Sequence, residues 1–139
     1  MPRNSFMQMN KLTNVSGRIT YISSKAKQEN LYATYTTILD RSFWRELAKC
    51  NQECFRQSGA EGKCIEAREL IIALPESFLH YEPAYLLKRF TDHFKQKYKV
   101  ECISALHHNK RKTNYHIHLI FAERQRLDKP IEKIATRNM

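Results

Sequence analysis

Long apolar runs are missing from these 139 residues. Nothing approaches the roughly 20 consecutive apolar residues of a membrane span. The N-terminus also lacks the basic, apolar and small-residue sections of a secretory signal, so the expectation is a cytoplasmic protein with no membrane insertion. No internal repeat and no low-complexity linker divides the chain, which argues against solenoids and strings of domains. Cys50, Cys54, Cys64 and Cys102 follow no paired zinc-ligand spacing, and Cys50 and Cys54 stand one helical turn apart within an apolar pattern, so all four read as reduced packing residues.

Acidic residues are scarce beside basic ones: 14 Asp and Glu against 24 Lys and Arg give a formal charge of +10. That balance favours polyanionic partners, nucleic acid first among them, although many basic proteins bind nothing in particular. With 42% apolar residues, the chain can build one modest core. Residues 1–125 are taken as a single domain and 126–139 as a charged tail or the start of a truncated C-terminal region.

Periodicity points to mixed α and β structure. Arg18-Ile-Thr-Tyr-Ile22 alternates well enough for a short strand or extended entry, followed by a polar stretch from Ser23 to Asn30. From Ser42 to Gln57, Phe43, Trp44, Leu47, Cys50, Cys54 and Phe55 recur at helical spacing, with Asp40 or Ser42 as cap and Gly59 as stop. Glu69 to Leu74, ended by Pro75, suits a buried strand. Pro83 opens a second helix over 83–99, whose Leu86, Leu87, Phe90, Phe94 and Tyr98 form one face. Strands are expected over Val100 to His107 and Tyr115 to Ala122, joined by the polar turn from Asn109 to Asn114 as an antiparallel hairpin.

The hairpin carries the chemistry. His116 and His118 project from the same face of their strand, so two imidazoles can share one ion. A third ligand must come from the neighbouring strand, where His107 continues the face of Ile103 and Ala105 and His108 that of Ser104 and Leu106; alternation leaves the two open. An isolated His-X-His is more often simply a half-exposed polar face of a strand, and the third histidine across a basic hairpin is what gives it weight. The ion expected is divalent: manganese or magnesium, with zinc, cobalt or nickel as alternatives. Imidazole favours the borderline ions over magnesium, which prefers oxygen. Such an ion would polarise a phosphate oxygen for in-line attack.

Ala105-Leu-His107, the polar loop, Asn114-Tyr-His116-Ile-His118-Leu and Glu123-Arg124 together resemble the metal-binding hairpin of HUH endonucleases, specifically relaxases of the MobA/MobL mobilisation family. Ala67-Arg-Glu69-Leu-Ile-Ile-Ala-Leu-Pro75 resembles the family strand ending in Ala-Leu-Pro, and Ser16-Gly-Arg-Ile-Thr-Tyr21 its nucleophile region, so the likeness spans most of residues 15 to 125. The resemblance implies an α+β domain, a central antiparallel β-sheet flanked by α-helices in a two-layer relaxase-like arrangement. It also implies His107 as the third ligand and binding of single-stranded DNA at a transfer origin. The intermediate would be a 5′-phosphotyrosine, in the service of plasmid or integrative-element mobilisation. Other relaxosome proteins are expected as partners of a monomer.

Within that reading Tyr21 is the nucleophile, with Tyr32 and Tyr35 as alternatives that would otherwise pack or stack on bases. A tyrosine titrates near pH 10 and needs the metal, nearby cations or a base to act at neutral pH. Glu69 could orient a ligand imidazole or assist the tyrosine proton, with Glu66 competing for that role. Arg18, Lys25 and Lys27 near the tyrosine, and Lys110, Arg111 and Lys112 at the hairpin turn, are candidate phosphate contacts. Two other readings compete: a rolling-circle replication initiator or transposase of the HUH class, and a non-catalytic DNA-binding module whose histidines hold structural zinc.

Overall fold

The structure, a computed structural model, describes residues 6–24, 31–40, 42–108 and 115–123. Elements follow in the order β1 (Phe6–Leu12), α1 (Val15–Ser23), β2 (Leu31–Thr36), α2 (Phe43–Ser58), β3 (Ala67–Leu74), a 3-10 helix (Glu76–His80), α3 (Pro83–Tyr98), β4 (Cys102–His108) and β5 (Tyr115–Phe121). The strands form one sheet in the order β1-β3-β5-β4-β2, with every neighbouring pair antiparallel. This is the α+β architecture expected, a central antiparallel sheet flanked by helices. Lys25, Lys27, Lys110, Arg111 and Lys112, with the hairpin turn and the tail, lie outside the described residues.

Strand alternation gives the sheet two different faces. On one, Leu12, Ala67, Ala105 and Ile120 pack with Val15 and Ile22 of α1 and Trp44 and Leu47 of α2. The other gathers Leu70, Leu74, Leu106, Tyr115, Ile117 and Leu119 beneath Leu86 and Leu87 of α3. Each aliphatic side chain so buried contributes about 1.5–3 kcal/mol. Both long helices have the ends read from sequence: Gly59 closes α2 at φ 74°, and Pro83 opens α3 behind Glu82, whose carboxylate accepts from the Ala84 and Tyr85 N–H groups.

Residues 18–22 are not a strand, which corrects the reading of their alternation: they lie within α1. Val15, Ile19 and Ile22 follow the helical period, and Val15 and Ile22 are fully buried against α2 and the sheet. Asn14 caps the helix by accepting from the Gly17 N–H at 3.1 Å. A Cβ at position 17 would lie 2.6 Å from that side chain, so glycine belongs there. The two outer strands, β1 and β2, had no clear signal in the sequence. Each pairs on one side only, and β2 alternates between half-buried and exposed positions, so neither needs the apolar pattern of a central strand.

All four cysteines are thiols. Burial, and then the charge of Glu101, pushes the Cys102 thiol up to about 12, while Cys64 is also buried and Cys50 and Cys54 are only half-buried. A thiol reagent at pH 8 is therefore expected to modify Cys50 and Cys54 in the native protein and to reach Cys64 and Cys102 only after denaturation. Peptide mapping that found Cys102 labelled under native conditions would contradict this packing.

Candidate metal centre

Cross-strand register builds the site. His107 on β4 stands directly opposite His116 on β5, and Ala105 opposite His118. Residues opposite one another across antiparallel strands share a face, so His107, His116 and His118 project together from the face that carries α1 and α2. His108 pairs with Tyr115 and projects from the other. The choice between His107 and His108, open in the alternation pattern, falls to His107.

One ligand atom from each of the three histidines lies within 4.8 Å of the others. Their ring centroids are 4.5 Å apart for His107 and His116, 4.4 Å for His107 and His118, and 4.8 Å for His116 and His118. All three rings are largely buried. Nε2 of His107 is buried without a hydrogen-bond partner among the described residues, an arrangement costly for a polar atom unless something binds it. Burial, then the neighbouring His118 and His116, pushes His107 down to about 3. It is thus neutral near pH 7, the form with a lone pair to give. The triad is positioned to bind a metal ion, and with three protein ligands it would leave coordination positions open.

Glu69 on β3 completes the site. It is 1% exposed and hydrogen-bonds to Nδ1 of His118, which places that ring's proton on Nδ1 and leaves Nε2 for a metal. Arg18 on α1 grips the same carboxylate from the other side, Nε donating to Oε1 at 2.7 Å and a terminal nitrogen to Oε2 at 3.1 Å. Burial opposes ionisation of Glu69, but the hydrogen bonds and charges of His118 and Arg18 outweigh it and hold the carboxyl below its ordinary range. Glu66, the competing acid, is occupied elsewhere: it accepts from the Val15 N–H at 2.9 Å and from Gln52 at 2.7 Å.

These two carboxylates also set the course of α1. Val15 is tied to Glu66 and Arg18 to Glu69, one turn further along the helix and three residues further along β3. The helix therefore advances along β3 toward Ile71 and Ala73, the partners of His118 and His116. Tyr21 lies another turn on, about 4.5 Å farther by helical rise, 44% exposed, with the Arg18 guanidinium 5.3 Å from its ring centroid. The alternative tyrosines belong to the opposite face. Tyr35 donates to Asp92 at 2.7 Å, a bond that raises its pKa, and Tyr32 packs against His108 and Tyr115. Arg18, expected among the phosphate contacts, has its guanidinium engaged by Glu69. No spacing rule could have exposed a pairing between residues 51 apart.

No protein-family model matches the chain, and no curated protein is significantly similar to it.

Two outcomes test this centre. Glu69→Gln should weaken manganese binding by about 10- to 100-fold in calorimetry, the usual cost of losing a partner behind a metal ligand; unchanged affinity would show that the carboxylate does not orient His118. The second concerns pH. An unfolded histidine takes up its proton near 6.5, whereas folded His107 resists until about 3, so the unfolded chain binds more protons across that window and stability falls as pH drops through it. From this residue the metal-free protein should lose about 2 kcal/mol between pH 6.5 and 5. Urea midpoints at pH 7 and 5 should differ accordingly, and the difference should shrink in His107→Gln.

Proposed function

We propose that this chain is a metal-dependent relaxase, nicking and rejoining single-stranded DNA at a transfer origin through a tyrosine 5′-phosphate, as the resemblance to MobA/MobL relaxases of the HUH class implies. The observation that carries the reading is the convergence of three buried histidines backed by the Glu69–Arg18 pair with the helix bearing Tyr21, in a chain of charge +10.

In this mechanism the Tyr21 phenolic oxygen attacks the scissile phosphorus in line, the bond from phosphorus to the 3′ oxygen breaks, the phenol gives up its proton and the 3′ oxygen gains one. Attack by that 3′-hydroxyl on the phosphotyrosine reverses the step and closes the strand. A divalent ion on the triad, manganese or magnesium or one of the borderline ions, would supply charge to stabilise the non-bridging oxygens. His107, His116 and His118 would hold it. Glu69 acts as a positioning residue that fixes the His118 ring, and Arg18 keeps that carboxylate ionised while packing on the Tyr21 ring, which links the nucleophile's helix to the metal centre.

A structural-zinc module needs a fourth protein ligand. Among the described residues the cluster holds three, which favours an open, catalytic site. A replication initiator or transposase of the HUH class would use the same chemistry, and the Ala73-Leu74-Pro75 segment favours the relaxase.

Incubation with manganese and single-stranded oligonucleotides tiling the DNA around the coding region should yield a denaturant-resistant protein–DNA adduct. Tyr21→Phe and His116→Ala should each abolish it, and Tyr32→Phe and Tyr35→Phe should keep it. An adduct that survives Tyr21→Phe would overturn the nucleophile. Intact DNA binding with no adduct on any tile would favour the DNA-binding module.

A further inference from the structure

The face of the sheet opposite the triad carries rings that the proposed chemistry does not use. At the same end of the sheet, Tyr32, His108 and Tyr115 form a cluster with centroids 5.9, 5.8 and 5.1 Å apart. Glu76, the first residue of the 3-10 helix, approaches Nε2 of His108 to 3.7 Å. From there the rings continue outward: Phe78 lies 5.8 Å from Tyr81 and 6.5 Å from Phe90, and Tyr85 stands beneath the Arg89 guanidinium at 5.8 Å. Phe78, Tyr81, Tyr85, Arg89, His93 and Gln96 line a groove between the 3-10 helix and α3. The two tyrosines are 52% and 54% exposed, so broad π faces meet water where a core would have covered them.

Charge selects the occupant. Of the charged residues lining the groove, Lys88 pairs with Asp92 at 2.8 Å, and Asp92 also accepts from Tyr35 at 2.7 Å, which leaves the Arg89 guanidinium beside the rings; Lys95, further along α3, is taken by Glu101 at 3.0 Å. What the groove presents is therefore exposed aromatic faces beside a guanidinium. Planar bases on a polyanionic backbone match both features. A duplex keeps its bases stacked inside, and a peptide of Asp and Glu has no aromatic bases to stack on the rings.

We infer that the groove between the 3-10 helix and α3 is a stacking platform for single-stranded DNA, with bases on Tyr81 and Tyr85 and a phosphate at Arg89. Glu76 of the 3-10 helix lies 3.7 Å from His108, which adjoins the ligand His107 on β4, so that helix borders the end of the sheet that carries the triad, on the other face. The platform rests on the proposed single-stranded substrate, and its test needs no metal and no cleavage.

Fluorescence anisotropy with a labelled oligothymidine, in chelator, measures it directly. Tyr81→Ala and Tyr85→Ala should each weaken binding by about 5- to 150-fold, the range for losing one stacked base. Tyr85→Phe should bind nearly as the unaltered protein does, because the ring carries the contact. Tyr98→Ala, at the other end of α3, serves as the control and should leave affinity unchanged. Arg89→Ala should flatten the salt dependence by about one phosphate contact. Binding by both alanine variants as tight as that of the unaltered protein, no binding by the unaltered protein, or displacement by polyglutamate as effective as by unlabelled oligothymidine would each overturn the platform. Adduct formation with manganese is scored separately. Adducts without a Tyr81 and Tyr85 effect would remove the platform alone, and tyrosine-dependent binding without adducts would leave the platform standing and remove the relaxase.

Discussion

A single buried carboxylate organises this molecule. Glu69 sits on a central strand at 1% exposure, where an isolated charge would be strongly disfavoured. It is tolerated because a guanidinium from α1 and an imidazole from β5 both donate to it. Removing either donor strands a charge in the core, so the helix, the central strand and the histidine hairpin are held in one register by mutual need. The same contacts that satisfy the carboxylate fix the tautomer of His118 and bring the Tyr21 helix alongside.

Around that hub the sheet separates two kinds of surface. Strand alternation sends His107, His116 and His118 toward α1 while His108 and Tyr115 go the other way. Adjacent residues of one strand thus serve different surroundings: His107 the triad, His108 a cluster of rings that leads to the groove beside α3. The β4–β5 pair forms a partition, with the proposed reaction centre on one face and the ring cluster of His108 and Tyr115 on the other.

The hydrogen bonds joining Glu66 to Val15 and Glu69 to Arg18 give α1 a defined direction with only nine residues. So short a helix has little stability of its own. Its buried Val15 and Ile22 supply adhesion, and the two carboxylates supply alignment. Function, on the proposed reading, depends on that alignment more than on the helix itself, since a nucleophile must reach the phosphorus within a narrow geometry.

The sequence by itself determined what is local. Gly59 marked the end of α2 and Pro83 the start of α3, and the apolar runs of β3, β4 and β5 marked the buried strands, because helix period, strand period and turn chemistry act over a few residues. His116 and His118 were legible as a pair for the same reason. Tertiary structure decided the rest. Five residues such as Arg18 to Ile22 fit either period, and only burial against α2 and the sheet made them helical. The edge strands β1 and β2 carry weak patterns and exist through their neighbours. His107 rather than His108 joined the triad because register across the hairpin set the shared face, and Arg18 found Glu69 across 51 residues of chain. Contacts between distant segments depend on how the sheet assembles, which no local period encodes.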